Sequence, residues 1–305
     1  MGPELAARRG CNRGGLARSS SIARFIGHGI TLMGTGLTLR NDGVPVNEIR
    51  YRLLSPLSLV FLLASVLAHV PPSGAGAQTV PAFQFELEGG PVWQTKNDVQ
   101  IPNDETGTRF SLVDVVGKGP WAFGRLYATW NINDRHGIRV LLAPLSVTET
   151  GTLEGPVEFA GATYAPGAAE ATYKFNSWRL SYRYRFLRRQ DLDLWVGFSA
   201  KLRDAKIELS QGSTTSKDTD LGFVPLLHLA ADWRMAESTH LLFDFDGLAG
   251  GPGRAFDSAL KLGYDLSDRW QVTLGYRTLE GGADVDAVYN FAWLHYGAAS
   301  VVLRF

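Results

Sequence analysis

Cysteine is almost missing from the 305 residues. Cys11 stands alone, so no intrachain disulfide can form. No His or Asp context beside it marks it as a nucleophile. Net charge is missing too: 30 Lys and Arg face 30 Asp and Glu, which leaves no electrostatic hint of a nucleic-acid partner. Apolar content is an ordinary 45%, so the chain is not a bundle of membrane helices. A helical period is absent after residue 80. What is abundant is glycine, with 34 residues, and aromatic side chains, with 8 Trp, 10 Tyr and 16 Phe.

The averages join unlike pieces. Eight of the basic residues and three of the acids fall before residue 53, which leaves the remainder about five charges negative. Residues 53–68, LLSPLSLVFLLASVLA, carry no charge, follow Arg50 and Arg52, and precede the small-residue segment Ala75-Gly76-Ala77. A basic start, an apolar middle and a small-residue end make a secretory signal over 50–77, with cleavage expected after Ala77. A spanning helix needs about 20 apolar residues, and Pro56 interrupts this run, which disfavours a permanent anchor. Residues 1–49 read as a non-structural leader or an over-called start. Residues 78–305 then form the folded domain, without a disulfide to hold it.

That domain alternates. Trp270, Val272, Leu274 and Tyr276 share one face of a strand, and Gln271, Thr273 and Arg277 the other. Leu194, Val196, Phe198 and Leu202 oppose Asp193, Lys201 and Arg203. Leu180, Tyr182 and Phe186 oppose Arg179, Arg183 and Arg185. The pattern predicts ten strands near 83–95, 120–132, 137–149, 171–187, 192–208, 220–235, 239–248, 255–266, 270–280 and 289–305. Gly90-Pro91 interrupts the first, and Pro225 predicts a bulge or break in the sixth. Short polar connections (133–136, 188–191, 236–238, 267–269) alternate with mostly longer ones (96–119, 150–170, 209–219, 249–254, 281–288). An antiparallel meander puts each kind at one end, and an even strand count puts both termini at the short-turn end.

A soluble sandwich would bury the apolar face, but these strands exceed its usual length. Aromatics also cluster near strand ends: Trp130, Tyr184, Trp233 and Trp270 toward the short turns, and Trp93, Trp178, Tyr276 and Trp293 toward the long ones. Two such belts are what water–lipid interfaces select. A bilayer admits sheets only as closed barrels, since unpaired amides are costly in hydrocarbon. The fold class is therefore all-β: a closed antiparallel up-and-down transmembrane β-barrel of about 10 strands, with 8 or 12 as alternatives. Lipid meets the apolar face and the lumen takes the charged one.

With Val301, Leu303 and terminal Phe305 closing an alternating last strand, the chain resembles the bacterial outer-membrane β-barrels. The resemblance covers 78–305 and is specific for the class, not for a role within it. It implies outer-membrane localisation, contact with outer-membrane lipid, and recognition of Val301, Leu303 and Phe305 by the assembly machinery. A monomer is expected. His295, on the lipid-facing parity, departs from the pattern.

The lumen should receive Arg125, Arg179, Arg183, Arg185, Lys201, Arg203, Asp232, Asp244, Asp246, Lys261 and Arg277, with Arg139, Glu86, Glu88 and Asp257 beside them. In a narrow barrel these charges should pair into a plug, because an unpaired buried charge is costly. A narrow, weakly anion-preferring channel is the alternative. Asp244 and Asp246 share a face and form a candidate pair for proton transfer, against a bracing role as partners of Lys261 and Arg277. No Asp-x-His or Ser–His pair marks a catalytic rim, so a hydrolase or lipid-modifying enzyme ranks last. His228 lacks a second ligand at metal spacing and reads as a lumen hydrogen-bonder. Residues 247–254, GLAGGPGR, lack the Lys-Ser/Thr of a phosphate cradle, and 280–286, EGGADVD, lack the bidentate Glu of a calcium loop, so both read as surface loops. No metal and no cofactor are expected.

Overall fold

A computed structural model describes residues 81–251 and 253–305, and the leader and signal segments lie outside the described residues. The elements are β1 (Phe83–Gln100), β2 (Phe110–Ser111), α1 (Leu112–Val116), β3 (Trp121–Asn131), β4 (His136–Ala143), β5 (Ser146–Leu153), β6 (Val157–Phe159), β7 (Ala162–Tyr164) and β8 (Gly167–Arg188). They continue with β9 (Leu192–Gln211), β10 (Thr214–Ala236), β11 (Thr239–Gly250), β12 (Gly253–Asp265), β13 (Trp270–Val285) and β14 (Val288–Arg304).

The sheet closes. β1 pairs antiparallel with β3 on one side and with β14 on the other, so the wall has no end strand at the level of the closure. Ten staves go round the ring: β1, β3, β4 with β5, and β8 to β14. Closure satisfies the backbone internally, which an apolar exterior requires. At the short-turn end, Phe305 N–H donates to the Phe83 carbonyl at 2.9 Å. Gly90 bends β1 with φ +147°, and a Cβ there would lie 2.1 Å from the Gly297 carbonyl oxygen. The strand therefore passes through Gly90-Pro91 rather than stopping.

Three expectations need correction. Residues 137–149 are two strands broken at Pro144: β4 pairs with the lower half of β8 and β5 with its upper half. Pro225 makes no bulge, and its pairing with Ala200 keeps register. Above the Leu227–Gly247 pair, β10 has no partner on the β11 side, so the missing donor faces an unpaired edge. Most of the long loops are strand. Residues 209–219, 249–254 and 281–288 are largely consumed by tight hairpins, Gln211 pairing with Thr214, Gly250 with Gly253 and Val285 with Val288. This end is thus a set of rising ribbons, and among the described residues only 101–120 and 154–166 are substantial connections.

The polarity of the wall inverts with height. On β9 the outer face runs Leu194, Val196, Phe198, Ala200, Leu202 and then turns to Asp204, Lys206 and Glu208. The inner face does the reverse, from Asp193 and Lys201 to buried Ile207 and Leu209. β8 changes likewise, from outward Leu180 and Trp178 to Asn176 and Lys174, while Ala169, Ala171 and Tyr173 are buried inside. Exposed Leu87, Leu126, Leu180, Leu262, Leu274 and Val301 form the apolar zone. From Phe83 to Trp93 this zone spans eleven residues, about the span of a tilted strand through a bilayer.

Candidate functional site

The interior has three layers. At the ribbon end an apolar core fills the bore. Leu112, Val115 and Val116 of α1 pack with Val92, Val99, Val147, Phe159, Tyr164, Ile207 and Leu209. Gly151 of β5 is what lets α1 sit this close, since a Cβ there would meet the Val115 backbone at 2.3 Å. Buried Gln94 ties the connection to β1: its amide donates to the Gly117 carbonyl at 2.6 Å, and its backbone N–H to the Lys118 carbonyl at 3.0 Å. The Tyr164 hydroxyl donates to the Leu209 carbonyl at 2.8 Å. Phe123 and Tyr296, edge to face at 4.9 Å, lie on the inner wall between this core and the charges.

The middle layer is ionic. Asp257 of β12 accepts from Arg125 at 2.8 Å, Arg179 at 2.5 Å and Arg277 at 2.6 Å. Glu88 of β1 accepts from Arg277 at 3.0 Å and Lys261 at 2.9 Å, and Lys261 also binds Glu86. Asp244 takes Arg139 bidentately at 2.6 and 3.0 Å. Asp246 takes Arg179 at 2.9 Å, the Ser199 hydroxyl at 2.6 Å and His228 Nδ1 at 3.0 Å. The Tyr127 hydroxyl accepts from Arg277 at 2.9 Å and Arg125 at 3.2 Å. Glu88, His228, Asp246, Arg277, Asp257 and Arg179 are all buried. Coulomb attraction is strong in such a dry space, and each acid here is met by hydrogen-bonding cations, which offsets its desolvation.

Below this layer, toward the short turns, a cavity of about 1120 Å³ is lined by Arg183, Arg185, Trp195, Asp193, Asp232, His240 and Arg304 among others. His240 bridges Asp232 at 2.7 Å and Asp265 at 2.9 Å, and Arg304 donates to Asp265 at 2.9 Å.

Of the residues the sequence assigned to the lumen cluster, Arg125, Arg179, Arg277, Lys261, Asp244 and Asp246 are brought together. Lys201 is buried at the upper edge with its ammonium 4.6 Å from the Phe175 ring centre. Arg183, Arg185 and Asp232 belong to the lower cavity. Arg203 does not join: it binds Asp220, above the apolar zone, where both are partly exposed. Asp244 and Asp246 serve Arg139 and Arg179, not Lys261 and Arg277, whose acids are on β1 and β12. His228, Asp244 and Asp246 approach one another closely enough to suggest a cation site. Arg139 and Arg179 already occupy the carboxylates, so the donor set does not suit a metal. The acids that organise the layer, Glu88 and Asp257, were visible only as lumen parity. The apolar core was missed, although inward positions turning apolar along β9 and β14 carried its signal.

On the outer face, Trp130, Tyr184, Trp233 and Trp270 lie toward the short turns, and Trp93, Trp178, Tyr276 and Trp293 toward the ribbons. His295 is embedded in the upper group. It stacks on Trp93 at 5.9 Å and on Tyr276 at 6.1 Å, and hydrogen-bonds the Thr95 and Tyr276 hydroxyls at 2.8 and 2.5 Å. That solvation by neighbours explains a His on this face. Val301, Leu303 and Phe305 also point outward, with Phe305 edge-on to Phe85 at 6.0 Å.

No protein-family model matches the chain, and no curated protein matches it. Among solved structures it is similar to the outer membrane protease OmpT of Escherichia coli, at 10% identity and TM-score 0.48 over 76% of this chain and 100% of that one. It is also similar to Neisserial surface protein A, at 14% and 0.34 over 76% and 100%, and to the attachment invasion locus protein Ail of Yersinia pestis, at 10% and 0.30 over 72% and 97%. Such likeness concerns the shape of the wall alone. By its own closed ten-stave ring, apolar belt and ionic bore, the chain is an outer-membrane-type β-barrel protein.

Proposed function

We propose that the protein is an integral outer-membrane barrel with a structural or interaction role, and that it passes no solute. Its short-turn end faces the periplasm and its ribbons face outward. The observation that carries this reading is the filling of the bore at two heights, by an apolar core and by an ionic layer. Side chains that must pair across the lumen brace the wall against ovalisation. Val301, Leu303 and Phe305 present the last strand to the assembly machinery, and outer-membrane lipid covers the apolar belt. Asp244 and Asp246, both held by arginine, favour bracing over proton transfer.

Single-channel recording in planar bilayers tests it. The reading expects a silent membrane after insertion is verified by heat-modifiable gel mobility. Discrete, reproducible conductance steps would support the narrow-channel alternative and remove this one.

A further inference from the structure

Arg183 projects into the lower cavity without a carboxylate of its own. Among the described residues it makes no hydrogen bond or ion pair. Its guanidinium lies 4.9 Å from the Trp195 ring centre, and its Nε is buried without a partner. Nothing can cap it from the sides either: its register neighbours are Gly137 on β4 and Gly197 on β9. Three of the acids nearby are held by other cations, although Asp193 Oδ1 and Asp191 Oδ1 are buried without a partner. Asp244 is taken bidentately by Arg139, Asp193 by Arg185 at 3.2 Å, and Asp232 by His240. Trp195 also lies 5.3 Å from Arg185, so one indole positions two guanidinium groups. The lining as a whole carries ten basic against seven acidic side chains, which leaves it net positive.

From the unpartnered guanidinium fork and the positive, open cavity it lines, we infer that the short-turn vestibule is a binding site for a small oxyanion, a phosphate or carboxylate group, with Arg183 as its anchor. A planar guanidinium matches such a group with two parallel N–H donors, which a lysine cannot do. The ring of Trp195 fixes the fork beforehand, so little side-chain freedom is lost on binding. At about 1120 Å³ the cavity holds more than a bare ion, so the oxyanion is one end of a larger solute. With the short-turn end in the periplasm, as proposed above, that solute is periplasmic. The binding itself does not depend on orientation.

Titration calorimetry of the folded chain in detergent at low salt, with inorganic phosphate and separately with succinate, tests the site. Saturable binding of either anion should weaken by about tenfold or more in Arg183→Gln, as expected for loss of a charge-assisted pair. Arg203→Gln, at the other end of the molecule, should bind as the parent does. Arg183→Lys keeps the charge but loses the fork and should fall between, which also serves if the glutamine variant fails to give a heat-modifiable band. Which anion binds distinguishes phosphate from carboxylate solutes. Absence of saturable binding for both, or Arg183 variants that bind like the parent, overturns the inference. Neither result bears on conductance, so the closed-barrel reading stands or falls separately.

Discussion

Arg125 of β3 reaches across the bore to Asp257 of β12, with Nη2 2.8 Å from Oδ2, and both side chains are almost fully shielded from solvent. Arg179 and Arg277 converge on the same carboxylate. Asp257→Asn would leave three buried cations around a neutral amide. Removing one partner of a buried pair costs about 3–5 kcal/mol. The variant should lose its heat-modifiable band at clearly lower temperature or urea than the parent. Asp98→Asn, which breaks an exposed pair with Lys96, should change stability by about 1 kcal/mol or less.

The inversion of the wall predicts that the same substitution differs by height. Leu262 points outward in the apolar zone, and Leu262→Arg should cost about 2–4 kcal/mol and impair refolding into lipid vesicles. Glu208 points outward above that zone and pairs with Lys206 only at the surface. Glu208→Arg should refold like the parent. Equal impairment of both would contradict the placement of the membrane.

The apolar core depends on close approach of α1 to β5. In Gly151→Val the new side chain must occupy space held by the Val115 backbone. Limited proteolysis should then cut within 101–120, which in the parent is clamped to β1 through Gln94. The ionic layer lies below and does not involve α1, so the variant should still close a bilayer to ions.

The alternation along β9, β13 and β14 was legible because a period of two is set by the pleat, and the two sides of a membrane barrel differ in chemistry at every step. So was the lumen parity of Arg179, Asp246 and Arg277. Partner choice was not, since Asp257 and Arg125 are 132 residues apart and meet only through barrel curvature and stagger. The ribbons are not legible as strands because Thr, Asp, Ser and Gly over 209–219 look like turn residues. In a two-stranded extension standing in water, those side chains simply face solvent. The segment LVDVV at 112–116 was the overlooked clue, being too apolar for an exposed loop.

Acid should loosen the ribbons before the bore. Asp204, above the apolar zone, is held below the usual carboxylate range by hydrogen bonds from Lys174 and Asn176. A depressed carboxylate stabilises above its unfolded value, about 3.9, and that contribution is lost as pH falls through the lower folded value. Protection of the Lys174 and Asp204 amides from hydrogen exchange, taken relative to the intrinsic rate at each pH, should therefore fall below about pH 4. Asp204→Asn should flatten that dependence; an unchanged profile would contradict the assignment.

Spin labels placed one at a time along β9, residues 194–208, in the chain lacking Cys11 and reconstituted in lipid, give the most direct measurement. Labels at 194, 196, 198, 200 and 202 should collide with oxygen and not with a water-soluble nickel chelate. Those at 204, 206 and 208 should reverse that preference, and 199, 201 and 207 should be shielded from both. Uniform water access along the even positions, or oxygen access at 199 and 201, would mean that oil and charge are not arranged about this wall as described.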